Sequence, residues 1–150
     1  NIIYSGISEM VAGRNVLVEA VNVNTQSTFS YEEDIRNIIK DNQNPAEVLV
    51  CLTAVDTRCA YQAVVDYNKV GVIDIIGYYD SDLILSAVQK GIIHSTMTID
   101  ARQMGAYCVE ALNEYIQTGQ VSDYFSVDIY AIGKDNVDEY IKSRSEEGQK

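Results

Sequence analysis

Between Val72 and Asp80 the chain places four β-branched apolar residues in five positions, then stops on Gly77, two tyrosines and an acid. A buried parallel strand reads this way when it delivers polar groups at its carboxyl end. In open α/β sheets, ligands gather just beyond such ends. On either side of this run the chain repeats a strand, a loop and a helix.

Taken in order, helical spacing predicts helices over 1–13, from Ser30 to about 41, over about 57–69, 81–90 and 100–117, and from Asp135 to about 142. Ser30 and Glu33 stand at the spacing of a capping box. Ser81 or Asp80, and then Asp100, stand where N-caps belong. Gly13, Gly91 and Gly119 are placed as stops. Apolar runs predict strands over 16–23, 47–52, 72–76, 92–99 and 127–132; the last alternates in polarity and reads as an edge. Alternation of this kind requires βαβ crossovers. The expected fold class is α/β: an open, mostly parallel sheet of about five strands with helices on both faces. One domain is expected over 1–142, followed by a polar, fraying tail over 143–150.

Charge excludes whole classes of partner. Acids outnumber bases 22 to 11, for a net charge of −11, and no basic cluster offsets them. Such a field repels phosphate backbones and anionic lipid, so nucleic acid is not an expected partner. No apolar run approaches the ~18–20 residues of a membrane span. The chain opens at Asn1 without an initiator methionine, as a mature or trimmed product would. Cys51, Cys59 and Cys108 lack paired spacing and read as small buried hydrophobes rather than zinc ligands. The lone histidine, His94, begins a strand far from the carboxyl-end loops, so no general base is in place and no enzyme is expected. Phosphate-cradling glycine motifs are missing from the sequence. No cofactor or metal is expected.

The carboxyl-end loops gather Asn24 to Phe29, Thr53 to Asp56, Tyr78 to Asp80, and Ile99 with Asp100. Aromatic rings and hydrogen-bonding acids in one crevice suit a neutral polyol, whose faces stack on rings and whose hydroxyls donate to carboxylates. Each acid also precedes a helix, and Phe29 precedes a cap, so caps and a hydrophobic staple account for the same residues.

Several short motifs recur in a familiar order. They are Thr53-Ala-Val-Asp-Thr57, Ile76-Gly-Tyr-Tyr-Asp80, Ala87-Val-Gln-Lys-Gly91, Ser95-Thr-Met-Thr-Ile-Asp100, Gln103-Met-Gly105 and Lys134-Asp-Asn-Val137. As a series covering nearly the whole chain they resemble the C-terminal half of the type I periplasmic binding proteins, in the ribose-binding-like branch. The resemblance implies a lobe that captures a sugar or polyol by closing against a second lobe, for a transporter permease or a sensor kinase. It implies an extracytoplasmic setting. It places Phe29 at a ligand-stacking aromatic. Val55, Tyr79 and Ile99 fall where a ligand-binding asparagine, aspartate and glutamine are usual, each followed by an acid: Asp56, Asp80 and Asp100. The ligand-binding set is therefore Phe29, Asp56, Tyr79, Asp80 and Asp100. In the family the helix matching 100–117 belongs to the other lobe, so its apolar face is expected to pack on a missing N-terminal lobe, a second copy, another chain, or in a rearranged position on its own sheet. Two alternatives stay open: the effector-binding core of a LacI-type transcriptional regulator, which would be cytoplasmic, and a non-catalytic interaction domain with a vestigial cleft. The regulator branch closes on Arg-x-Ser after its last strand, where this chain has Lys134-Asp-Asn-Val137.

Overall fold

The computed structural model describes residues 2–147. The chain divides into two compact units, Asn1–Asp34 and Ile35–Lys150.

The first unit opens with α1 (Ile2–Val11), which buries none of its residues. Gly13 follows at φ 77°, the left-handed geometry that suits a residue with no Cβ. The expected strand over 16–23 is not formed, and those residues are irregular. A strand needs a neighbour for its ladder groups, and no strand lies within the described residues 2–34. The Tyr4 hydroxyl instead donates to the Val18 carbonyl at 3.3 Å. Helix α2 (Thr28–Lys40) starts earlier than Ser30. Its cap is Ser27, whose Oγ accepts the Ser30 N–H at 3.1 Å while its carbonyl takes the Tyr31 N–H. Both serines can cap; the earlier one adds hydrogen-bonded turn and wins.

The second unit continues through β1 (Val48–Val50), α3 (Ala54–Asp66), β2 (Asp74–Tyr78), α4 (Asp82–Gln89), β3 (Ser95–Ile99), α5 (Ala101–Thr118), β4 (Ile129–Gly133) and α6 (Val137–Glu147). Among the described residues four strands form one sheet in the order β1-β2-β3-β4, where about five were expected. The first three are parallel and the edge strand β4 runs antiparallel to β3. Helices α3, α4 and α6 pack together on the sheet. The core lies between these layers: Ile73 and Ile75 of β2 and its lead-in, Ala60, Ala63 and Val64 of α3, Ile84, Leu85 and Val88 of α4, then Ile93, Ile132 and Val137. Small alanines let α3 lie close to the strand beneath it.

Caps mark where each helix starts. Thr53 caps α3 by accepting the Asp56 N–H at 3.0 Å, so the helix begins a turn before the expected residue 57. Ser81 caps α4, and Asp100 caps α5 by accepting the Gln103 N–H at 2.8 Å. Asp100 also accepts the Tyr130 hydroxyl at 3.0 Å. These bonds, the Gln103 N–H foremost, pull its carboxyl below the ordinary value of 3.8. Helix α5 ends at Gly119, φ 75°, and buries no residue. Val109, Leu112, Tyr115 and Ile116 stand exposed along it, Ile116 at 72%. Helix α6 runs to Glu147, beyond the expected end near 142.

Gly77 sits where β2 passes beneath α3. A Cβ there would lie 2.6 Å from Thr57 Cγ2 and 3.2 Å from Thr96 Oγ1. Gly77→Ala is expected to cost about 1–3 kcal/mol by overpacking. Adding Thr57→Ser removes the offending methyl and should recover most of that loss; urea unfolding of the two variants measures both. Asp100 gives a second expectation. Its folded carboxyl binds protons less readily than the unfolded one, so its contribution is complete above about 3.8 and fades as pH falls through the lower folded value. Asp100→Ala should lose about 1 kcal/mol at neutral pH. Asp100→Asn should keep the cap and flatten the acid limb of the stability curve.

Candidate functional site

Beyond the carboxyl ends of β2 and β3, a cavity of about 310 Å³ opens beside α6. Its polar lining comes from four places in the chain: Asp80 after β2, Asp100 and Arg102 at the start of α5, Tyr130 on β4, and Tyr140, Ser143 and Arg144 on α6. Ile99 and Ala101 complete the wall.

Two tyrosines orient the two acids. The Tyr140 hydroxyl donates to Asp80 Oδ2 at 2.7 Å, and the Tyr130 hydroxyl donates to Asp100. The two rings lie 5.9 Å apart at a tilt of 58°. Burial first, then the bond to Asp80, pushes the Tyr140 hydroxyl well above its ordinary value of 10. It therefore stays a proton donor at neutral pH. Arg144 closes the cluster. One guanidinium nitrogen donates to the Asp80 carbonyl and lies 3.6 Å from Asp80 Oδ2; the other donates to Asp82. Both groups engage Asp80 through Oδ2. Gln89 of α4 reaches Asp138 of α6 at 2.6 Å, fastening the helix that carries this half of the lining.

The five residues expected in the site fall in three places. Asp80 and Asp100 share the cavity. Asp56 lies in the first turn of α3 and Tyr79 lies at the β2 exit, and neither lines it. Phe29 belongs to the first unit, in the first turn of α2, and is 68% exposed. Tyr79 is 48% exposed with φ 88°, one of two non-glycine residues with positive φ among the described residues.

Arg102, Tyr130, Tyr140, Ser143 and Arg144 were not expected. One signal for them is present in the sequence. Tyr140 and Arg144 are four residues apart on a helix and so share a face, although Arg144 falls within the polar stretch 143–150. Tyr130 carries no comparable local signal.

Burial, with Asp56 adding to it, pushes the Cys51 thiol up to about 12, which removes the thiolate a nucleophile needs. His94 is exposed just before β3, at the opposite strand end from the cavity. Among the described residues no group of three His, Cys, Asp or Glu is placed to hold a metal ion, and no helix is long and apolar enough to cross a membrane.

No protein-family model matches the sequence, and no curated protein matches it. Solved structures do. A XylFII molecule is 30% identical over 70% of this chain and 37% of its own, with a TM-score of 0.59. A XylFII–LytSN complex is 24% identical over 86% of this chain and 45% of its own, at 0.71. An ABC transporter solute-binding protein from Agrobacterium vitis, bound with α-D-tagatopyranose, reaches 0.80 at 14% identity, over 93% of this chain and 46% of its own. The chain thus spans less than half the length of each of these structures. Its sheet order, its helix placement and these likenesses agree: the chain has the fold of part of a type I periplasmic binding protein.

Proposed function

We propose that this chain is the C-terminal lobe of an extracytoplasmic solute-binding protein that captures a neutral sugar or polyol by closing against a second lobe. It is a binding module rather than an enzyme, and it would serve an uptake transporter or a membrane sensor. The observation that carries this reading is the cavity beyond β2 and β3, with two carboxylates already oriented by tyrosine hydroxyls. Oriented acceptors suit ligand hydroxyls, which donate to them at little entropic cost. Tyr79, exposed at the adjacent strand exit, is assigned to stacking on the ligand face, and Asp80 and Asp100 to accepting its hydroxyls. Asp56 is assigned to the outer part of the same surface; Phe29, in the first unit, keeps the ligand-stacking role that the resemblance implies. A solute-binding protein bound with a sugar and a XylFII–LytSN complex are both among the similar structures, which supports the two partner classes.

A single lobe supplies part of the contacts, so its affinity should be on the order of millimolar. Titration with D-tagatose, D-galactose, D-xylose and myo-inositol, followed by NMR, should show saturable shifts for at least one. Tyr79→Ala should weaken that binding by about 1 kcal/mol, roughly fivefold. A chain that responds to no sugar in the set would sink the reading.

The exposed apolar stripe of α5 is assigned to packing on a partner surface, either the other lobe or a second copy. Light scattering should therefore find species heavier than the 16.7 kDa chain. Leu112→Asp with Ile116→Asp should return them to monomer. A stable monomer of the unaltered chain, with α5 solvated, would remove that assignment.

A further inference from the structure

The exit of β2 is built from groups that the proposed binding role does not itself require. Thr57 and Thr96 are both fully buried, at 0% exposure. Their hydroxyls bond to main chain at the same point. Thr57 Oγ1 accepts the Tyr78 N–H at 2.9 Å and faces the Tyr78 carbonyl at 3.2 Å and the Thr53 carbonyl at 2.9 Å. Thr96 Oγ1 donates to the Tyr79 carbonyl at 2.7 Å. The Tyr79 N–H donates to the Met97 carbonyl at 2.8 Å. Every polar main-chain group of Tyr78 and Tyr79 that these bonds reach is therefore held from α3 on one side and β3 on the other. The two threonines come this close because Gly77 has no Cβ between them.

What they hold is strained. Tyr79 has φ 88°, a conformation that disfavours any side chain beyond glycine. Glycine would adopt it freely and keep the same main-chain bonds. A half-exposed tyrosine gains little packing in exchange. The position therefore spends strain to present a ring, which is the pattern of a functional residue rather than a turn residue.

We propose that Thr57 and Thr96 are positioning residues that lock the β2 exit so that the Tyr79 ring stands ready to stack on a sugar. The inference rests on the assignment of Tyr79 to ligand stacking. Valine in place of either threonine keeps the branched shape and removes the hydroxyl; serine keeps the hydroxyl.

The test uses the full chain, with D-tagatose, D-galactose, D-xylose and myo-inositol as probes. Two NMR readouts need no ligand: the amide–Hα coupling of Tyr79, which reports φ, and the exchange rate of its amide. Thr96→Val should change the coupling and raise exchange at least tenfold, while circular dichroism shows the fold retained. Its sugar affinity should fall about fivefold, as for Tyr79→Ala. Thr96→Ser should match the unaltered chain in all three. Thr57→Val supplies the same test from the α3 side should Thr96→Val fail to fold. Unchanged coupling and exchange in a folded valine variant overturn the inference, and so does a serine variant that behaves like the valine one. If Tyr79→Ala binds sugar as well as the unaltered chain, the stacking assignment fails and the capture role of the threonines falls with it. If Tyr79→Ala weakens binding but the valine variants do not, the positioning claim alone is wrong.

Discussion

The second unit depends on a mismatch in strand length. Strand β1 leaves the sheet after Val50, and its last ladder bond is from the Cys51 N–H to the Ile76 carbonyl. Strand β2 continues to Tyr78 with no neighbour on that side. Buried main-chain groups require partners, and here a side chain supplies them. Thr53 starts α3 immediately after β1, which sets Thr57 one turn into the helix and directly over β2. A cap, a helix turn and a hydroxyl thus complete a ladder that the sheet itself leaves open. The glycine beneath them follows from the same geometry, because a Cβ at 77 would press on Thr57, the residue that provides the missing partner.

Features written in adjacent residues were legible. The caps Ser81 and Asp100 and the glycine ends at 91 and 119 each satisfy backbone groups a few residues away, so their spacing carries the information. The parallel sheet was legible from apolar runs separated by helical stretches. The start of α3 was misread although Thr53-Ala-Val-Asp56 has the spacing of a capped helix start, because the apolar periodicity there begins only a turn later. The run over 16–23 has strand composition, yet composition does not provide a ladder partner.

Half of the candidate site was beyond local reading. Tyr140 meets Asp80 across 60 residues of sequence, and Arg144 meets the Asp80 carbonyl across 64. Neither pairing exists until α6 has packed on α4 and β4. This also explains why α6 runs past the expected end: Arg144 ties its last turns to the β2 exit, and a tied turn does not fray.

The same ties shape what the cavity can recognise. Asp80 and Asp100 are held by tyrosine hydroxyls, so in the proposed role their orientation would be set before a ligand arrives and less freedom would be lost on binding. Within the cavity, Arg102 and Arg144 face two acids, so the local charge is close to balanced. The surrounding field is not balanced, because the whole chain carries −11. An anionic sugar derivative would be repelled on approach and would then compete with the carboxylates for the arginines. The neutral polyol of the proposed role would meet neither obstacle.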